Sequence, residues 1–470
     1  MSDLSDTTLD VERKPSRWIW WLHPKVAIPL MLFCVLLFSP FLVRGFRIAQ
    51  LPDIGEPFDV AALLKTAPPA DDEVTKLLTE SQKSYREPTS AESELIGIVN
   101  ESGWAVTSEP LRSWLADNER SLLEWRHATE LKVWPKSTKV ETDPNAIVDS
   151  VRVQRDLVTL AKTQAECSLA DGDTEAAWGW IQAMFRHVNH LAQHGDLMDR
   201  FVANGLAAMT FHSVQRFTES RRVTSGEMRK ALDDLQQFHA TLPPKSDAFR
   251  WDYARDLKNR IKLDDPHMIH WLENNPQTFD LSDVPASLRM KTLWLLGDPD
   301  FSDRAVKLVI RNWIEEADLP PFRRSAVLGT RVKIFDSVAV SSPISNQMLA
   351  QKVNERCLAK VYLSGGISAI KSMERIETRY TSIALATACQ LYRMEHGEFP
   401  PKLSDLVPEI LAHLPIDPFS KSGEALKYRN DGDVAVIYSL GQNLADDGGI
   451  IGFEIPEEDR DDGFRIQTPQ

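Results

Sequence analysis

Eighteen consecutive uncharged residues, Val26–Val43, lie near the start of this chain and constrain it more than any other stretch. A run of that length and apolarity is at the short end of what crosses a bilayer as a helix. Trp18, Trp20 and Trp21 precede it and suit the headgroup level, where Lys25 can extend its amine outward. Pro29 and Pro40 lie near the ends of the run, where helix breaks are tolerated. Arg13, Lys14, Arg17 and Lys25 stand before the run, and Arg44 and Arg47 just after it. That asymmetry predicts a cytoplasmic tail (1–17), an anchor (18–43) and a chain that continues outside the cytoplasm. The sequence RGFRIAQ after Val43 contains no small-x-small cleavage site, so the expected segment is an uncleaved, single-pass anchor in the cell inner membrane.

With 470 residues there is room for two or three domains beyond that anchor. The net charge of −14 argues against a nucleic-acid partner, because binding phosphates calls for a basic face. Cys34 lies in the anchor, which leaves Cys167, Cys357 and Cys389 as an odd set with no CxxC pair and no implied disulfide framework.

From 57 to 370 the text reads as a mainly α-helical body. Val151–Leu169 and Thr174–Leu191 have helical periodicity on either side of an Asp171-Gly172-Asp173 turn. This hairpin, with TEAAWGWIQAMFRH on its second arm, resembles a single tetratricopeptide unit. A further helix is expected at Asn204–Ser220. Another should start at Thr224 or Ser225, with Glu227 in its first turn, and stop before Pro243-Pro244. Trp104, Trp114, Trp125 and Trp134 recur at helical spacing, which suits a helix core better than a sugar-stacking platform. Residues 264–300 are rich in Pro, Asn and Asp and read as an irregular connection. Helices resume at Asp303–Glu316 and Asn346–Leu363, and Gly365-Gly366 offers a hinge.

Residues 371–452 change character. A helix is expected from Ile376 to a stop at Gly397, then a short one at Leu403–Leu411 capped by Ser404 or Asp405. Ala425–Arg429 and Val434–Leu440 read as strands joined by the turn residues 430–433. The expected outcome is a separable α+β module, followed by a solvated acidic tail (453–470).

The ordered motifs LYRMEHGEFPPKLSDL, LPIDPF, KY and VIYSLGQNLADDGG resemble the C-terminal half of the major pseudopilin of type II secretion systems. The chain as a whole resembles planctomycete-type envelope proteins of unknown function. In pseudopilins the final loop binds calcium, and the resemblance places that loop at Gly441–Gly449, with Asn443, Asp446 and Asp447 as ligands. Asn443 stands where an aspartate is usual and Leu444 where a glycine is usual. No pseudopilin-like processing motif precedes the hydrophobic run, so filament assembly of the usual kind is not expected.

Other chemistry is sparse. His187, His190 and His194 share one helix face, and His267 and His270 form a second HxxH, but neither group names a full zinc shell. No GxSxG, Walker or dinucleotide-binding loop is present. The expectation is a membrane-anchored extracytoplasmic structural or interaction protein with protein partners. The alternatives are an accessory component of a type II secretion or pilus-like machine and an envelope hydrolase without a recognisable motif.

Overall fold

The computed structural model describes residues 24–68, 72–132, 134, 144–257, 298–323, 366–451 and 461–467, with single positions at 285, 288, 291 and 295. Two compact units divide the chain: residues 1–52 with 262–303, and residues 53–261 with 304–470.

In the first unit α1 (Pro24–Ile48) runs as one helix through Pro29 and Pro40. None of its residues is buried, and its Leu36 and Phe46 are each 72% exposed. Near its end Arg44 pairs with Asp300, and the Arg47 guanidinium lies 5.3 Å from the Phe301 ring centre. The flanking residues 1–23, with the tryptophan belt, lie outside the described residues.

The second unit holds the helical body. Its helices are α2 (Val60–Lys65), α3 (Asp72–Ser84), α4 (Ser90–Ser102), α5 (Leu111–Asp117) and α6 (Glu119–Glu130). Then come α7 (Pro144–Asp171), α8 (Thr174–Ala192), α9 (Leu197–Thr218), α10 (Ser225–Ala240) and α11 (Lys245–Asp252). After α12 (Asp298–Glu316), which begins in the first unit, the 31-residue α13 (Gly366–His396) leads into the C-terminal sheet.

Local chemistry explains the boundaries. The α7–α8 hairpin turns at Gly172, whose φ of +85° is a left-handed conformation that a side chain would strain. Asp173 then caps α8 by accepting the Ala176 amide at 2.9 Å. At α10 the cap is Thr224, which accepts the Glu227 amide while Glu227 accepts the Thr224 amide, a reciprocal capping box. α13 stops at His396 before Gly397, as expected.

The tryptophans serve the core. Trp114 and Trp125 are fully buried, and the Trp114 indole donates to the Arg86 carbonyl at 3.1 Å. At the centre of the unit, Phe185 of α8 meets Phe211 of α9, Phe238 of α10 and Tyr380 of α13 with ring centres 5.0–5.9 Å apart. Tyr380 also stands edge-on to Phe211 at 4.8 Å.

The sheet has three antiparallel strands in the order β1 (Lys427–Asn430), β2 (Val434–Ser439) and β3 (Asp462–Gln467). β2 is central and is buried from Ala435 to Ser439, which accounts for its unbroken apolar text. Its register pairs Tyr428 with Ile437 on one side and Ile437 with Phe464 on the other. Gly463 lies against the Tyr438 and Ile437 backbone so closely that an added Cβ would collide.

Three expectations are corrected here. The 453–470 segment is not wholly a solvated acidic tail, because Asp462–Gln467 forms β3 with Ile466 fully buried. Alternating Gly-Phe-Arg-Ile text in a short acidic stretch gave too little signal to outweigh the charge. The helix expected at Leu403–Leu411 is a single 3₁₀ turn, Leu403–Leu406, and the Val407–Pro408 bond that follows is cis. The boundary expected between 370 and 371 falls inside α13, and one hydrophobic core runs from Ile96 to Ile466 across it. α13 packs on α9 and α10 as well as on β2 and β3. The helix expected at Asn346–Leu363 and the residue Cys357 lie outside the described residues, as does Gly365. Cys34, Cys167 and Cys389 are free thiols.

A shared core makes a thermodynamic prediction. Phe211 is 1% exposed and touches the body, α13 and β3. Phe211→Ala should cost about 3–5 kcal/mol. Urea unfolding of the second unit should remain one transition, followed equally by helical far-UV signal and by a probe placed in the sheet. Two transitions, only one of them shifted, would show a separable C-terminal module.

Candidate functional site

The loop after β2 is held at both ends by buried carboxylates. At its start Asp417, from the LPIDPF motif, accepts the Ser439 hydroxyl at 2.6 Å and the Leu440 amide at 3.0 Å. The same carboxylate accepts the Phe419 amide at 2.9 Å, so the DP-aromatic turn and the end of the YSLG strand share one anchor. At the far end Asp461 accepts the Gly449 amide at 2.8 Å and the Asp447 amide at 3.4 Å. Burial pushes the Asp461 carboxyl up to about 6, against the pull of those two N–H groups.

The three residues expected to hold calcium lie between these anchors. The Asn443 amide donates to Asp447 at 2.7 Å, and its oxygen accepts the Ala445 amide at 3.0 Å. Asp446 accepts the Tyr438 hydroxyl at 3.2 Å and the Gly448 amide at 3.0 Å. Leu444 keeps a left-handed φ of +58°, the geometry a glycine would take without strain. Calcium requires six to eight oxygens. Here at least one side-chain oxygen of each residue accepts a hydrogen bond that orders the loop. Among the described residues no group of three or more His, Cys, Asp or Glu side chains is placed to hold a metal ion.

The three histidines are likewise part of the packing, and they do not share one helix face, because α8 ends at Ala192 and His194 lies beyond it with a left-handed φ of 54°. His187 is fully buried between Trp125 and Trp134, at ring distances of 5.4 and 5.0 Å. His190 stacks on Trp134 at 4.7 Å and places a ring nitrogen 3.1 Å from the Thr129 carbonyl. His194 meets Trp251 edge-on. His267 and His270 lie outside the described residues.

The most unusual chemistry is one that motif reading did not find. Lys162 and Glu166 are one turn apart on α7, and His212 and Arg216 are one turn apart on α9, which packs against it. Lys162 and Glu166 are 5% and 4% exposed. Glu166 lies 3.9 Å from the Arg216 guanidinium, yet burial still pushes its carboxyl up to about 7. Burial, then the nearby Lys162 and Arg216 charges, hold the His212 imidazole down at about 4. Burial also lowers Lys162, with Glu166 opposing that effect and Arg216 adding to it.

This quartet lies between two hollows. One, of about 800 Å³, is lined by Lys162 and His212, by Met209 and Phe211, and by Ile450 and Phe464 among others. The second, of about 580 Å³, is lined by Glu166, Arg216, Trp104 and Arg222 on its own side. Between them β3 is fastened to α9: the Gln215 amide donates to the Arg465 carbonyl at 2.7 Å, and Glu219 accepts the Gln467 amide at 3.2 Å. A sequence signal for the quartet did exist, namely two i,i+4 pairs of ionisable residues on helices α7 and α9.

The quartet predicts opposite pH responses. Native Glu166 keeps its proton to higher pH than an unfolded glutamate, so its contribution to stability falls as pH rises from 4.5 to about 7. Native His212 stays neutral where an unfolded histidine is charged, so its contribution rises with pH from about 4 to 6.5. Glu166→Gln should leave the rising contribution and His212→Gln the falling one, the two profiles running in opposite directions by up to about 3 kcal/mol each across the window. Asp461 adds a falling contribution between 3.8 and about 6 to both. Urea midpoints with parallel pH profiles in the two variants would refute this assignment. In the loop, Asp461→Ala strands two backbone N–H groups and should cost about 1–3 kcal/mol. The calcium expectation is read in the melting temperature: a higher value in calcium than in chelator would support ligation by Asn443, Asp446 and Asp447, and equal values would leave the loop a plain acidic turn.

Comparison with protein-family models, curated proteins and solved structures finds no match to this chain.

Proposed function

We propose that this chain is a single-pass, membrane-tethered interaction protein whose helical body stands outside the cytoplasm. The observation that carries this reading is α1. It is 25 residues long, reaches a mean hydropathy of 2.6 over its best 18-residue window, and has no buried residue. At about 1.5 Å per residue such a helix exceeds the ~30 Å hydrocarbon layer. A helix apolar all round belongs in a core or in lipid. The excess of Lys and Arg before the run supports a cytoplasmic N-terminus and an inner-membrane location.

The α7–α8 hairpin supports the tetratricopeptide-like reading through its Gly172 turn and close helix packing. A long helix against an antiparallel sheet, an Asp417-anchored turn and a glycine-rich final loop support the pseudopilin-like reading of the C-terminal region. Here that helix, α13, is already packed against α9 and α10. An accessory role beside a secretion or pilus-like machine suits such a helix better than polymerisation into a filament.

Membrane fractionation tests the tether. The full chain should stay in the membrane pellet through alkaline carbonate, keep an N-terminal epitope, and become extractable when residues 24–48 are deleted. Loss of the N-terminal epitope from the mature protein would make α1 a cleaved signal. A reporter fused at Gln470 that works only in the cytoplasm would overturn the orientation.

A further inference from the structure

We infer that the hollow beside Lys162 is a binding site for a small organic anion that carries an apolar body. Among the described residues this protein gives its other buried cations polar partners. Lys245 is 8% exposed, and its ammonium lies 2.7 Å from Glu377. Arg255 meets Asp199 at 3.4 Å and the His194 carbonyl at 2.6 Å. Arg200 donates to the Pro243 carbonyl at 2.7 Å. Lys162, at 5% exposure, makes no hydrogen bond and no ion pair within 4.0 Å among the described residues. Such a largely buried lysine, with no protein partner among those residues, opens its ammonium onto the hollow, and natural sequences tolerate this chiefly where function requires it.

The surroundings define the ligand. Lys162 lines a hollow of about 800 Å³, within the range of small-molecule pockets. Met209, Phe211, Ile450 and Phe464 supply apolar lining on the same hollow. The acids there are already engaged: Asp461 takes the Gly449 amide at 2.8 Å, and Asp462 lies 3.5 Å from Arg375. Arg465 is exposed on the lining, so an entering molecule meets positive charge. A carboxylate seated on the Lys162 ammonium would form a charge-assisted hydrogen bond in a desolvated setting, and its hydrocarbon part would cover the apolar lining. Burial disfavours the charged form of Lys162 and Glu166 opposes that effect, so an anion beside it would favour the ammonium further. Among the described residues, Glu166 from the same helix and His212 and Arg216 from α9 act on its charge, and Arg379 of α13, Arg429 of β1, Asp461, and Asp462 and Arg465 of β3 line the same hollow.

The test titrates 4-phenylbutyrate and its neutral amide into the full chain in lipid nanodiscs by calorimetry. The acid should bind at least tenfold more tightly than the amide, a gap of about 1.4 kcal/mol. Lys162→Met, which removes the charge while keeping the length, should abolish that preference, and the exposed Lys83→Met should leave it unchanged. On the unaltered chain the acid's affinity should fall as pH is raised toward the ordinary lysine value, while the amide's stays level. This second measurement stands even if Lys162→Met misfolds. Failure of the acid to bind, equal binding of acid and amide, or a pH-independent acid would each overturn the site.

Discussion

The aromatic contact among Phe185, Phe211 and Tyr380 is the interaction on which the second unit depends. Those rings come from α8, α9 and α13, and Phe238 and Phe464 extend the contact to α10 and β3. Chain segments separated by nearly two hundred positions meet there, so hydrophobic burial, not local propensity, joins the C-terminal sheet to the body. A small three-stranded sheet with one long helix is marginal alone. Packed against α9 and α10, it becomes part of a core large enough to hold it.

Polar chemistry then determines how that core ends. β3 is an edge strand, and unpaired edges invite association with other chains. Side chains of the helices meet this edge instead: Gln215 and Glu219 from α9, and Gln390 from α13, which donates to the Gln467 carbonyl at 2.9 Å. Asp417 and Asp461 perform the equivalent task for the connecting loop, each accepting backbone N–H groups that would otherwise be unpaired. The loop gains its order from Asp417, which lies in the LPIDPF motif, and from Asp461, which no motif marked.

The same fastening produces the Lys162 hollow. Tying β3 to α9 and the loop end to Asp461 brings Phe464, Ile450 and Lys162 to one space. The lysine and its neighbours Glu166, His212 and Arg216 sit where α7 and α9 face each other, and burial moves all three resolved titrations away from their ordinary values. A site of this kind arises from the spacing of helices, with no signature run of residues.

Local patterns were readable because local forces produce them. The apolar run Val26–Val43, the Gly172 turn, the Thr224 cap with Glu227, the Gly397 stop and the β1–β2 hairpin all rest on periodicity, glycine conformation or side-chain caps within a few residues. Asn443, Asp446 and Asp447 were also legible as an acidic loop, but not their partners, because the loop is closed by Asp461 and Tyr438 through contacts that spacing does not encode. Tertiary structure alone decided that an acidic terminal stretch becomes β3, since pairing with β2 and burial of Ile466 outweigh its charge. It alone decided that no boundary falls at 371, since α13 buries faces against both helices and sheet. And it alone brought two i,i+4 pairs from different helices together, which left Lys162 beside a partly apolar hollow with no hydrogen bond or close ion pair among the described residues.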